Sequence, residues 1–322
     1  MSRSLKAHIL LVLVTLVWGA TFVLIKNAVE RDATPLLFNF VRMTLAALTL
    51  AVIFHREIAR IGRQSFVAGA VTGIFLWLGY EFQTTGLRLT SASKSAFITG
   101  LSVVLVPLFI VIGWGRRISA WTCFGVISAL LGLFLLTVPA GESGIGNWTS
   151  VNRGDLLTLA CAVSFGLQII FLGQATEKNS FAQIGFMQIA TAAVLMGITV
   201  PIAEQAHMYW SSRVIWGILI TGLLGTAAAF TIQAWAQQFI SPTHTGLIFS
   251  LEPVFAWITS YIVLGERLGM RAGAGALLIL GGVLVSELLG RDSAPFAVSH
   301  GDQQQSPPAT AGGTVSRAKA RQ

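Results

Sequence analysis

Charge is the scarcest ingredient of this sequence. Only 11% of its 322 residues are Asp, Glu, Lys or Arg, where a soluble chain carries about 25%. Hydrophobic residues make up 54%, and the mean hydropathy is +0.74. An ordinary soluble domain is excluded. Cysteine is nearly missing: Cys123 and Cys161 both fall inside apolar runs, without CxxC or His/Cys spacing, and read as small packing residues rather than metal ligands. The five histidines (His8, His55, His207, His244 and His300) are scattered over span ends, loops and tail. An intramembrane enzyme would need paired acids, a His with an acid, or HExxH within its spans. No GxxxxGK[ST] loop occurs, and the connecting segments are too short for an ATPase domain, so the chain carries no energy source of its own. No charged ring or filter-like repeat marks a channel.

What the chain has in quantity is apolar runs long enough to cross a bilayer. They fall at roughly 8–25, 36–54, 66–87, 93–114 and 119–138, then at 155–173, 182–201, 214–236, 243–264 and 270–289. The first has a basic start, as a signal peptide would, but it is long, lacks a good cleavage site and is followed by many similar runs, so it reads as the first span. The longest interruption lies near Pro139–Gly154 and is rich in Gly, Ser and Asn. Organisation follows as a five-helix repeat over 8–138, an inter-repeat loop over 139–154, a second repeat over 155–290 and a disordered tail over 291–322. The net charge of +8 sits largely in short loops, where it sets topology rather than binding nucleic acid. Its bias favours both termini on the cytoplasmic side.

The two halves are related. Ser91 matches Ser241, Ile98 matches Ile248, Leu101 matches Leu251, Val104 matches Val254, Gly115 matches Gly265 and Arg117 matches Arg267, all at one spacing. Trp18-Gly19 corresponds to Phe165-Gly166. Two copies of an odd number of spans sit upside-down to one another, the arrangement from which many secondary transporters build alternating access. The expected fold is an all-α polytopic membrane protein, ten transmembrane helices as two inverted five-helix repeats.

These repeated stretches resemble the EamA family of the drug/metabolite transporter superfamily over residues 8–290. The residues that carry the resemblance are WGATFVLIK at 18–26, Arg42, LRLTSASKSAFITGLSVVLVPL at 87–108, and SPTHTGLIFSLEPVF followed by LGERL within 241–268. The resemblance implies a central cavity and export of small metabolites or toxic compounds. The first copy departs from the acidic pattern: Ser102 stands where the second has Glu252, and Arg116 where it has Glu266. A mechanism with symmetric carboxylates is not expected.

Helical spacing places a candidate substrate-binding lining. Ser95, Thr99 and Ser102 share one face of span 4; their mates in span 9 are Thr245, Phe249 and Glu252. Span 3 offers Trp77, Tyr80, Glu81 and Thr84 with Gln83 beside them, and span 8 offers Phe230, Gln233 and Gln237. Spans 1 and 6 add Trp18 and Phe22, and Phe165 and Gln168. Each has a plainer role open to it: the hydroxyls bond helix backbones or neighbouring helices, the aromatics pack or anchor at the interface, and the glutamines bond one another in the interior. Glu252, next to Pro253 near mid-depth, and Glu81 are the proton-coupling candidates, because a carboxyl that moves between wet and dry surroundings changes its proton affinity; helix capping competes for Glu252, and pairing with Arg88 or Lys94 for Glu81. Arg42 is expected to face the bundle and bond carbonyls or a carboxylate, as a structural charge.

The function expected is that of an inner-membrane carrier for amino-acid-like or drug-like solutes, with proton exchange in view. A uniporter or channel and a nucleotide-sugar-type antiporter are the alternatives. Its partners are a small-molecule substrate and the lipid bilayer, with no nucleic acid, no ATPase subunit, no metal and no cofactor, as a monomer or homodimer.

Overall fold

The computed structural model describes residues 2–29, 32–90, 92–138, 151–264 and 269–290. Apart from an isolated bridge between Ala33 and Met208, the described residues with regular structure are helical. In the first half these are α1 (Arg3–Val29), α2 (Pro35–Ile53), a single helical turn (His55–Ile58), α3 (Arg63–Leu87), α4 (Ala92–Gly100), α5 (Ser102–Trp114) and α6 (Ala120–Thr137). In the second they are α7 (Arg153–Lys178), α8 (Phe181–Ala203), α9 (Ser212–Gly222), a π-helical turn (Leu223–Ala228), α10 (Ala229–Ala236), α11 (Pro242–Phe249), α12 (Glu252–Leu264) and α13 (Met270–Leu289). The ends follow local chemistry. Asn152 and Asp155 form a reciprocal capping box on α7, and the hydroxyls of Ser119, Ser211 and Ser241 accept the first free N–H groups of α6, α9 and α11.

Among the described residues, nine helical segments are long and apolar enough to cross a membrane. The protein is a multi-pass membrane protein. The run expected as a single ninth span, 243–264, is instead divided into α11 and α12. Pro253 has no N–H for the carbonyl of Phe249, so α11 ends there and α12 restarts with the proline in its first turn, where no donor is missed. Span 4 breaks at the corresponding place, between α4 and α5, although Val103 rather than proline stands there. In both breaks the chain makes a tight turn, Leu101 N–H to Ile98 O and Leu251 N–H to Ile248 O.

The packing shows the two halves exchanged by a pseudo-twofold. α6 and α13 lie antiparallel with small residues between them: a Cβ at Gly125 would come 2.7 Å from Gly282 O, and one at Gly132 would come 2.5 Å from Gly275 O. Advancing Gly125 and Gly132 by the repeat spacing lands on Gly275 and Gly282, so the two contacts are one contact seen from either half. Between them Ser128 donates to the carbonyl of its own repeat mate, Leu278, at 2.8 Å. Backbones approach this closely only where side chains are absent. The same exchange holds at the ends of the bundle. Asp32 receives Tyr209 N–H and Ser211 Oγ from the α8–α9 connection and Arg213 Nε from the first turn of α9, while Glu57 receives Ser180 Oγ from the connection before α8 and Gln183 Nε2 from its first turn.

The two largest of five apolar clusters among the described residues fill most of the bundle. One joins α1, α6, α10, α11 and α13 around Leu11, Leu133, Leu247 and Ile279; the other joins α2, α3, α8 and α10 around Met43, Leu76, Ile189 and Met196. The inter-repeat loop over 139–150 and the tail over 291–322 lie outside the described residues.

Candidate functional site

The middle of the bundle is lined by rings. Trp18 of α1 stacks obliquely on Phe230 of α10, centroids 5.5 Å apart, and meets Phe249 of α11 edge-on at 4.9 Å. Its indole N–H donates to Gly225 O at 2.7 Å. That carbonyl belongs to the π-helical turn, where Thr226 Oγ1 also reaches back five residues to Thr221 O; such wide turns recur at functional sites. Gly19, next to Trp18, lets α1 press on the start of α12: a Cβ there would lie 2.7 Å from Ala256 N and 2.9 Å from Glu252 O. Its mate Gly166 is looser, with Val106 Cγ2 3.6 Å away.

Across from these, Tyr80 of α3 meets Phe165 of α7 edge-on at 5.6 Å. Gly79 makes the room, since a Cβ there would sit 2.5 Å from the Phe165 ring. Arg42 of α2 covers the Tyr80 ring, with Cζ 4.7 Å from the centroid. Only 5% of Arg42 is exposed, its Nε has no hydrogen-bond partner, and it makes no ion pair among the described residues. The carbonyl or carboxylate partner expected from the sequence is not what holds it; the ring is. A cation over an aromatic face gains about 2 kcal/mol when desolvated, well short of what bringing it out of water costs.

Glu252 opens α12, where uncommitted N–H groups and the helix dipole favour a negative charge. Glu252 and Tyr80 are packed inside the bundle and each keeps some accessible surface, which makes the space they face the candidate cavity, an aromatic void. The Glu252 carboxylate lies within electrostatic range of Tyr80 and Cys161 and makes no hydrogen bond or ion pair among the described residues. Thr99 reaches the same wall, its Oγ1 3.9 Å from Cys161 Sγ. Trp77, Gln83 and Ser102 are half-buried.

Other candidates lie behind the wall. Gln168, Gln233 and Gln237 are 2%, 0% and 1% exposed and bond one another instead of facing the cavity. Gln168 Nε2 donates to Gln188 Oε1 at 3.0 Å, Gln233 Nε2 to Gln168 Oε1 at 3.3 Å, and Gln237 Nε2 to Ile169 O at 2.9 Å. A dry interior requires amides to pair, which explains the chain. Ser95 and Thr245 are buried, and Thr245 Oγ1 bonds back to Ser241 O. Thr84 bonds Tyr80 O and accepts from Asn39 Nδ2. Glu81 accepts from Thr199 Oγ1 at 2.7 Å, while Arg88, its expected partner, pairs with Glu204. The side chains of Phe22 and Lys94 lie outside the described residues.

Sequence reasoning missed Gln188, although a glutamine amid the apolar run of α8 was signal enough. It also took the histidines as scattered. His8, His244 and Glu287 in fact converge where α1 begins and α13 ends, with His8 Nε2 2.6 Å and His244 Nδ1 3.0 Å from the two carboxylate oxygens. Linear spacing cannot reveal such a meeting of three helices.

Comparison with known proteins gives the family. The model of the EamA-like transporter family matches residues 5–138 and again 152–288, once for each half. A transporter of Archaeoglobus fulgidus, itself uncharacterised, is 32% identical over 286 residues, covering 89% of this chain and 87% of that protein. The uncharacterised transporter YoaV of Bacillus subtilis is 24% identical, covering 87% and 96%, and the Arabidopsis thaliana WAT1-related protein At1g43650 is 22% identical, covering 93% and 95%. A solved crystal structure superposes with a TM-score of 0.73 at 17% identity, over 88% of this chain and 97% of that one, a likeness of fold. Matched in both halves and over nearly its whole helical length, the chain belongs to the EamA-like transporter family.

Proposed function

We propose that the protein is a secondary carrier of the cytoplasmic membrane, both termini inside, which exports a small organic solute carrying an aromatic or apolar body and a carboxylate, by alternating access with proton exchange. The observation that carries this reading is a pair of ionisable groups set among rings that have no charged partner among the described residues: Arg42 on the Tyr80 face, without an ion pair, and Glu252 within electrostatic range of Tyr80, without a hydrogen bond. A buried cation with no counter-ion is poorly stabilised until an anion arrives, so a solute carboxylate supplies what the protein leaves out. The rings of Trp18, Phe230, Phe249 and Phe165 suit an apolar body. Amino-acid-like solutes meet these demands. Glu252 opens the restarted half of a broken helix, so movement at the break changes its surroundings and its proton occupancy together.

Purified protein in liposomes tests the reading. Labelled aromatic amino acids and related carboxylates, compared with their esters, should show saturable flux and counterflow, the acids being preferred. An imposed pH gradient should drive accumulation. Flux that neither saturates nor supports counterflow points to a channel, and transport indifferent to the gradient points to a uniporter. For a nucleotide-sugar-type antiporter several cations would be expected in the void, where Arg42 alone is in place among the described residues.

A further inference from the structure

Away from the aromatic void, three helix ends bring two imidazoles and a carboxylate together. His8 lies in the first turns of α1, His244 in the first turn of α11 and Glu287 in the last turn of α13. One ligand atom from each lies within 4.8 Å of the others. Glu287 spans the two rings, Oε2 to His8 Nε2 at 2.6 Å and Oε1 to His244 Nδ1 at 3.0 Å.

The far nitrogen of His8 decides what this contact needs. Nδ1 lies 2.7 Å from the carbonyl oxygen of Ser4, which can only accept, so Nδ1 carries the hydrogen. In the neutral ring the lone pair is then on Nε2 and faces a carboxylate oxygen. Two acceptors at that distance need a cation between or beside them. Protons satisfy both contacts only as a charged His8 beside the Nδ1–H tautomer of His244; a divalent metal ion takes up the lone pairs of all three ligand atoms at once. Two imidazole nitrogens and a carboxylate oxygen are a donor set for Zn²⁺-class ions, with a fourth position left for water. A bond from the far ring nitrogen to a carbonyl is the outer arrangement that orients metal-bound histidine.

We propose that His8, His244 and Glu287 bind a divalent transition-metal ion of the Zn²⁺ class, which pins α1, α11 and α13 together at this end of the bundle. Ligands about 2.0 Å from one ion stand about 3.3 Å apart, so the shortest contact widens by less than about 1 Å, within side-chain adjustment. Entry is open, since the side chains of His8, Glu287 and His244 are 29%, 15% and 11% exposed. The site is separate from the aromatic void: ten residues of α1, about 15 Å at 1.5 Å per residue, divide His8 from Trp18.

The test needs no transport assay. The full chain, purified in detergent and stripped with chelator, is titrated with Zn²⁺ and with Co²⁺. One equivalent should bind, Co²⁺ should develop the visible absorption of a low-coordinate site, and Zn²⁺ should raise the unfolding midpoint, as any ligand of the folded state does. His244→Ala and Glu287→Gln should each weaken binding about tenfold or more. A His55→Ala/His207→Ala variant, which removes two exposed histidines, should bind as wild type does. The wild-type titration stands even if a ligand variant folds poorly. Should wild type take up no stoichiometric ion, or should uptake follow His55 and His207, the cluster shares protons only and the proposal is wrong.

Discussion

Arg42 and Tyr80 meet face-on, the guanidinium carbon 4.7 Å from the ring centroid, and no carboxylate stands near enough to form an ion pair with the arginine among the described residues. The contact takes in the ring face, with the Tyr80 hydroxyl also within reach of the guanidinium. Tyr80→Phe should therefore keep transport within a few-fold of wild type, while Tyr80→Leu removes the platform and should weaken it about tenfold, given a desolvated cation–π gain of about 2 kcal/mol. Arg42→Lys is not conservative here, because a compact ammonium stacks poorly. It should raise KM for a carboxylated solute more than for its ester. Initial rates in liposomes, normalised to folded protein by size-exclusion chromatography, check both statements.

Glu252→Gln keeps size and polarity at the start of α12 and removes the titration. The variant should fold and reach the membrane, lose accumulation driven by a pH gradient, and retain solute counterflow with a flattened pH profile. Rates measured across pH in the same liposomes decide it; a Gln variant with the wild-type profile takes the coupling role from this residue.

The glycine contacts between α6 and α13 are predictions about stability. Alanine at Gly132 or Gly275 places a methyl 2.5 Å from a carbonyl oxygen of the other helix. Each should destabilise by about 1–3 kcal/mol through overpacking, despite the gain of roughly 0.5–1 kcal/mol that alanine brings in a helix interior. Gly281→Ala, on the same helix with nothing within 4 Å of the added atom, should be neutral or stabilising. Unfolding midpoints in one detergent give the comparison.

The buried glutamines should behave as a unit. Gln168→Leu leaves Gln233 Nε2 and Gln188 Oε1 without the partner they share, which costs about 1–3 kcal/mol. Adding Gln233→Leu should cost less than the sum of the two single changes, because the second amide has already lost that bond. A double-mutant cycle by thermal unfolding measures the difference. Strict additivity would show that the amides act independently.

Span placement and duplication were legible because they rest on length, apolarity and one constant spacing, which a chain cannot hide. The family was legible in Trp18-Gly19 and in the SLEPVF stretch. The ring stripe was half legible: spacing put Trp18, Tyr80, Phe165, Phe230 and Phe249 on inward faces, and contacts group them. The glutamines failed as wall residues because helical spacing gives a direction and not a depth. Glu81 and Arg88, which caps the same helix, are two turns apart, which suggested a pair, yet Glu204 at the cap of α8 takes the arginine. The His8, His244 and Glu287 meeting joins residues far apart in sequence, and no local pattern encodes it. The break before Pro253 divides a run expected as one span, and the matching break at Leu101, which has no proline at the equivalent place, was not foreseen either.

Those two breaks occupy equivalent places in halves that swap onto each other, but one is followed by a serine and the other by a glutamate. A lever of this kind has equal arms and unequal weights. Any motion that trades the conformation of one half for that of the other carries a carboxylate in one sense only. Under the alternating access proposed above, its two end points differ in energy, and the difference depends on whether a proton is aboard.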